Sequence, residues 1–129
     1  MVPLSEEEVR TLINHIGPSL GSGDHTYPPV YPEGRKDVCV VRRMAEDGQN
    51  YGFDTIYFLS KLSDGSITYR EVKNSRSSKD YILIDEVQEK EDDTMLLVKL
   101  SSSGSYSGRP WEASIKISFR DGEIRISDV

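Results

Sequence analysis

The residues best suited to chemistry in this 129-residue chain are few and scattered. The imidazoles are His15 and His25 and the thiol is Cys39; set on a helix, a loop and a strand, they lack the spacing of a zinc site. His25 follows Asp24, and a carboxylate beside an imidazole that titrates near neutral pH can orient it for proton transfer. The run Gly104-Ser105-Tyr106-Ser107-Gly108 has the outline of a nucleophile elbow but puts Tyr106 where the serine belongs. No glycine-rich segment ends in the lysine of a phosphate loop, so nucleotide hydrolysis is not expected. Glu89, Glu91, Asp92 and Asp93 offer carboxylates of the kind calcium prefers, without the spaced pattern of an EF-hand, and are expected to form a solvated hairpin turn.

Asp54 followed by Glu71-Val72-Lys73 resembles the core signature of the restriction-endonuclease-like nucleases, with Glu8 in the place of a helix acid. That resemblance implies two carboxylates holding a divalent metal such as magnesium, with Lys73 assisting the attacking water. It covers only the stretch from Asp54 to Lys73. Pro28-Pro29-Val30-Tyr31 resembles the Pro-Pro-x-Tyr ligand of WW domains, whose aromatic grooves receive a polyproline helix and a tyrosine ring. Read structurally, the same prolines stiffen a loop whose tyrosines cover the edge of the core.

Ser5 and Glu8 form a capping box, and Leu4 can staple onto Val9, so a helix is expected over residues 5–16. Val9, Leu12, Ile13 and Ile16 share its apolar face, and Gly17 with Pro18 ends it. Residues 18–36 hold glycines, prolines and aromatic side chains without periodicity. They read as a long loop, which in a compact domain is often functional. Seven strands are expected between residues 37 and 128, bounded by turn-forming residues.

Two Asp-Gly pairs suggest type I′ hairpin turns. With Asp121-Gly122 as the last turn, Phe119 meets Ile124 and Ile117 meets Ile126, giving one apolar face. With Asp64-Gly65 as the other, Ser60 meets Tyr69, Phe58 meets Glu71, Ile56 meets Lys73 and Asp54 meets Ser75. That register puts Glu71 and Lys73 on the face of Ile67 and Tyr69. It also separates Asp54 from the level of Glu71 by roughly 13 Å at about 3.3 Å per residue, too far for one shared ion.

The expected class is therefore α+β: a mostly antiparallel sheet, curled into a barrel or doubled into a sandwich, carrying one N-terminal helix in a single domain over residues 1–129. A net charge of −6 argues against a protein that grips phosphate backbones. No apolar run is long enough to span a bilayer, so a cytoplasmic protein without a membrane partner is expected. Cys39, in an apolar strand pattern, reads as a buried thiol.

The leading functional expectation is a non-enzymatic binding domain for a protein or small ligand, without a cofactor. It would use loops 18–36 and 101–110, with His25, Tyr27, Tyr31, Tyr106 and Trp111 as contacts. The alternative is a divalent-metal-dependent phosphodiesterase using Asp54, Glu71 and Lys73. Edge strands of such a sheet could also pair into a homodimer.

Overall fold

The computed structural model describes residues 2–16, 25–46, 52–75, 81–90, 92–104 and 108–129. Helix α1 (Glu6–Ile16) is followed by β1 (His25–Thr26), β2 (Val38–Glu46), β3 (Gly52–Lys61), β4 (Ile67–Ser75), β5 (Leu83–Lys90), β6 (Asp92–Ser102), β7 (Trp111–Arg120) and β8 (Glu123–Asp128). All strand pairs are antiparallel, in two four-stranded sheets of order β1-β2-β3-β4 and β5-β6-β7-β8. No helix among the described residues is long and apolar enough to cross a membrane.

Hydrophobic patterning explains the layering. In β2 the four successive residues Val38, Cys39, Val40 and Val41 are all buried, as are Ile56 to Leu59 in β3. A strand with both faces covered has no polar alternation to show. One face, with Val38, Val40, Ile56 and Phe58, joins Leu96, Val98, Leu100, Ile115, Ile117 and Ile124 of the second sheet in one core cluster. The other, with Cys39, Val41, Tyr57 and Leu59, packs against Leu4, Val9 and Ile13 at the helix. The second sheet alternates instead: Leu96, Val98 and Leu100 are buried while the intervening Lys99 is exposed.

The helix starts as its sequence predicts. Ser5 N donates to Glu8 Oε1 and Glu8 N to Ser5 Oγ, both at 3.1 Å, satisfying two amides that the first turn leaves without partners. The second Glu8 oxygen receives Lys61 Nζ at 2.6 Å, fastening the helix start to the end of β3. This contact holds the Glu8 carboxyl below its usual range. Leu4, 2% exposed, lies in the same cluster as Val9. Residues 17 and 18, expected to end the helix, lie outside the described residues.

Two sequence expectations need correction. The stretch 25–36 is not free of structure: His25 and Thr26 pair with Met44 and Arg43, and Val30 bridges Val40 through hydrogen bonds of 2.8 and 2.9 Å. The described residues thus hold eight strands, one more than expected. The β3–β4 turn is also one residue longer than a type I′ pair. Leu62 N donates to Ser66 O at 2.8 Å, Asp64 Oδ1 accepts from the Ser66 amide and hydroxyl, and Gly65 sits at φ 90°. This three-residue loop pairs Ser60 with Thr68, Phe58 with Arg70 and Tyr57 with Glu71.

A bulge then absorbs the difference. Val72 has no opposite number, and the pairs Ile56 with Lys73 and Asp54 with Ser75 follow the expected register. Glu71 therefore shares the helix side of the sheet with Tyr57, while Lys73 shares the side of Ile56 that faces the second sheet. The expectation that both lie on the face of Ile67 and Tyr69 holds for Glu71 alone. By contrast, Phe119 with Ile124 and Ile117 with Ile126 pair as read from the sequence, and Asp121 and Gly122 have φ 53° and 83°, as a type I′ turn requires.

Candidate functional site

At one end of the two sheets lie the connections β3–β4, β5–β6 and β7–β8; at the other, the longer-loop end, lie 47–51 and the two longer connections 76–82 and 103–110. The apolar interior between the sheets ends at the longer-loop margin in charged residues. Arg42, Ile56 and Lys73 are neighbours across β2, β3 and β4 at one register level, with side chains on the side facing the second sheet. Ile56 is fully buried, so the two cations flank the last apolar side chain of that row.

Each cation is set on aromatic rings. The Arg42 guanidinium lies 4.1 Å from the Tyr27 ring centroid and 5.0 Å from that of Tyr81. Lys73 Nζ lies 5.4 Å from the Trp111 ring. The attraction is between positive charge and the negative face of the π-system. β1 positions the first of these rings: the Tyr27 amide donates to the Arg42 carbonyl at 2.9 Å, and the His25 ring meets Tyr27 edge-on with centroids 4.5 Å apart.

Asp54 stands behind Arg42. It is 3% exposed, its Oδ2 lies 3.3 Å from Arg42 Nη2, and the same oxygen accepts the Ile82 amide at 2.8 Å. One carboxylate thus ties β2 to the segment entering β5, across the two sheets. Burial raises the Asp54 pKa, outweighing the opposing Ile82 hydrogen bond and Arg42 charge.

Beyond this rim, Tyr81 and Leu83 are 48% and 46% exposed. A hollow of about 510 Å³ opens beside Leu83, lined by that residue with Ser101, Ser102, Ser103, Pro110, Trp111 and Glu112. The loop forming part of its wall is pinched at the base. Gly108 N donates to Gly104 O at 2.6 Å, and Gly104, at φ 62°, lies so close to the Arg109–Pro110 peptide that a Cβ would come within 2.4 Å of its backbone.

The structure thus gathers His25, Tyr27 and Trp111 at one end of the sheets. Tyr31 belongs elsewhere: its ring packs in the helix-side cluster, and its hydroxyl donates to Leu4 O at 2.6 Å. Burial pushes the pKa of that hydroxyl up to about 12. The Pro28-to-Tyr31 segment is accordingly backbone-paired at Val30 and anchored at Tyr31, as a loop whose tyrosine covers the core. Tyr106 and Asp24 lie outside the described residues. Cys39 is fully buried and its pKa is raised to about 12 by burial alone.

Asp54, Glu71 and Lys73 are not brought into one constellation. Asp54 is engaged with Arg42 and Ile82, Glu71 is on the opposite face of the sheet, and Lys73 points toward Trp111. Glu8 is bound to Lys61. No group of three or more His, Cys, Asp or Glu side chains among the described residues is arranged to hold a metal ion. In the acidic segment, Glu89 lies 3.4 Å from Arg35, and the Asp93 carbonyl accepts from the same guanidinium. Sequence reading missed Arg42, Tyr81 and Leu83. Nothing in their local sequence distinguishes them, because their partners come from other strands. No family model, curated protein or solved structure matches the chain.

Proposed function

We propose that the protein is a non-catalytic binding domain whose recognition surface is the longer-loop end of the two sheets, built around Tyr27, Arg42, Tyr81, Leu83 and Trp111. The observation that carries this reading is the rim itself. The interior ends in two cations on aromatic rings, with Tyr81 and Leu83 nearly half exposed and a hollow of about 510 Å³ beside Leu83. Ligand sites commonly occupy about 300 to 1,000 Å³, with apolar walls and a few fixed polar groups. Trp111, Pro110 and Leu83 supply such walls, and Ser101 to Ser103 and Glu112 supply hydroxyl and carboxylate groups. Paired strands hold Leu83, Ser101, Ser102, Trp111 and Glu112, so little ordering entropy is lost on binding.

The test is a fragment screen of aromatic and carboxylate-bearing small molecules, read by amide chemical shifts. Hits are expected to perturb residues 81–83, 101–103 and 111–112, and to be lost in Tyr81→Ala and Trp111→Ala proteins that still melt cooperatively. Hits spread over the surface, or clustered elsewhere, would refute the assignment. Divalent cations give a second arm. The binding reading expects no rise in melting temperature with magnesium, manganese or calcium. A rise that Glu71→Gln abolishes would replace it with a metal-dependent one, since a ligand of the native state stabilises it.

A further inference from the structure

Helix α1 covers the first sheet only in part. Cys39 and Val41 of β2, and Tyr57 and Leu59 of β3, are buried beneath it. The same face continues onto β4 through Ile67, Tyr69 and Glu71, which pair with Lys61, Leu59 and Tyr57. There the cover fails: Tyr69 is 44% exposed and Ile67 only partly buried. Between helix and strand lies a groove of about 460 Å³ lined by Ser5, Glu7, Glu8, Thr11, Leu12, His15 and Ile67. Its floor is apolar, from Leu12 and Ile67, and Tyr69 follows Ile67 on the same face of β4.

Glu7, Glu8 and His15 line the groove, and Glu71 lies beyond it on the same face of β4. Glu8 is neutralised by Lys61. Glu7 on the helix and Glu71 on the strand have no hydrogen bond or ion pair among the described residues. Glu71 does lie close enough to Tyr57 to help raise the pKa of its hydroxyl, after burial. Glu7 has a local role too, as one of the first-turn acids that favour the positive helix end, but Glu71 has no helix dipole to serve. In a chain of net charge −6, unpaired carboxylates beside an exposed tyrosine and a partly buried isoleucine and leucine complement cations attached to an apolar anchor.

We infer that this groove is a second docking site, separate from the longer-loop end, and that its occupant is a peptide segment of a partner protein in which one large apolar side chain is flanked by lysine or arginine. The apolar anchor lies on Leu12, Ile67 and Tyr69, and the flanking cations meet Glu7 and Glu71. From Ile67 to Glu71 the strand runs roughly 13 Å at about 3.3 Å per residue, so the groove spans about four residues of extended chain.

The probe is a capped peptide of about eight residues, long enough to overhang that span at ~3.3 Å per residue, with a single central Trp between lysines. Its twin carries glutamates in place of the lysines. Titrated into the labelled full chain, the lysine peptide is expected to shift amides of residues 8–15 and 67–71. It should bind about tenfold more tightly than the glutamate twin at low salt, with the preference shrinking as salt is raised. Glu7→Gln with Glu71→Gln should erase most of that preference, and Tyr69→Ala should weaken both peptides; all three positions are on the surface, so the fold survives the changes. Equal affinity of the twins, shifts confined to the longer-loop end, or no binding overturns the inference. Self-association that shifts these same amides without peptide, seen by sedimentation, also overturns it by showing that a second copy covers the groove.

Discussion

Replacing Asp54 separates two contributions that one carboxylate makes between the sheets. In Asp54→Ala, the Ile82 amide loses its 2.8 Å acceptor, and a buried N–H without a partner costs about 1–3 kcal/mol. The Arg42 guanidinium, 11% exposed in its side chain, also loses its counterion, although the Tyr27 and Tyr81 rings retain part of its stabilisation; this adds about 1–2 kcal/mol. The sum is about 2–5 kcal/mol. Unfolding entropy near 2.1 cal/mol/K per residue over 129 residues is ~0.27 kcal/mol/K, so the melting temperature should fall by about 7–18 °C.

Asp54→Asn retains an oxygen for the Ile82 amide and removes a charge whose burial is itself unfavourable. It should cost less than about 1.5 kcal/mol, or under about 6 °C. Because the folded pKa of Asp54 is raised above 3.8, the folded state binds its proton more tightly than the unfolded one. That contribution is full below pH 3.8 and is lost as pH rises through the folded value. Wild type should therefore gain stability relative to Asp54→Asn as pH falls from neutral toward 4. Calorimetry of the three proteins across that range reads both effects. An asparagine variant as unstable as the alanine one, or a wild type that loses ground to it on acidification, would refute this account of the carboxylate.

Gly104→Ala should destabilise by at least ~2 kcal/mol in urea titrations, since it combines a positive φ with backbone contact inside van der Waals distance. Gly108→Ala, at φ 75° with nothing within 4 Å, should cost about 1 kcal/mol from the backbone conformation alone; equal costs would show that the pinch at the loop base is not real. Ser5→Ala should cost about 1 kcal/mol, measured by thermal melts, through loss of the Glu8 amide's partner.

The last hairpin was legible because its turn and its apolar alternation agree: Asp121-Gly122 sets a register that puts Ile117, Phe119, Ile124 and Ile126 together. At Asp64-Gly65 the same dipeptide is embedded in a longer loop. Asp64 bonds to Ser66, a local competition that the dipeptide alone does not reveal, and the Val72 bulge then hides the error from Lys73 onward. The unbroken apolar runs at Val38 to Val41 and Ile56 to Leu59 signalled that this sheet is covered on both faces. The margin around Arg42 was not legible, because Tyr27, Asp54 and Tyr81 meet only when the two sheets come together. The anchoring of Tyr31 was not legible for a related reason: its partner, the Leu4 carbonyl, lies 27 residues away.

Across the outer edges of β4 and β8, Arg70 Nη1 donates to the Ile124 carbonyl at 2.6 Å. An edge carbonyl of this kind is a template on which a stray strand can add. Here a guanidinium from the neighbouring sheet occupies it, so strand addition at that point must first displace a charged hydrogen bond. Arg70 thereby acts as a latch between the sheets and a guard against aggregation, and its removal should be felt first in shelf life and solubility at high concentration.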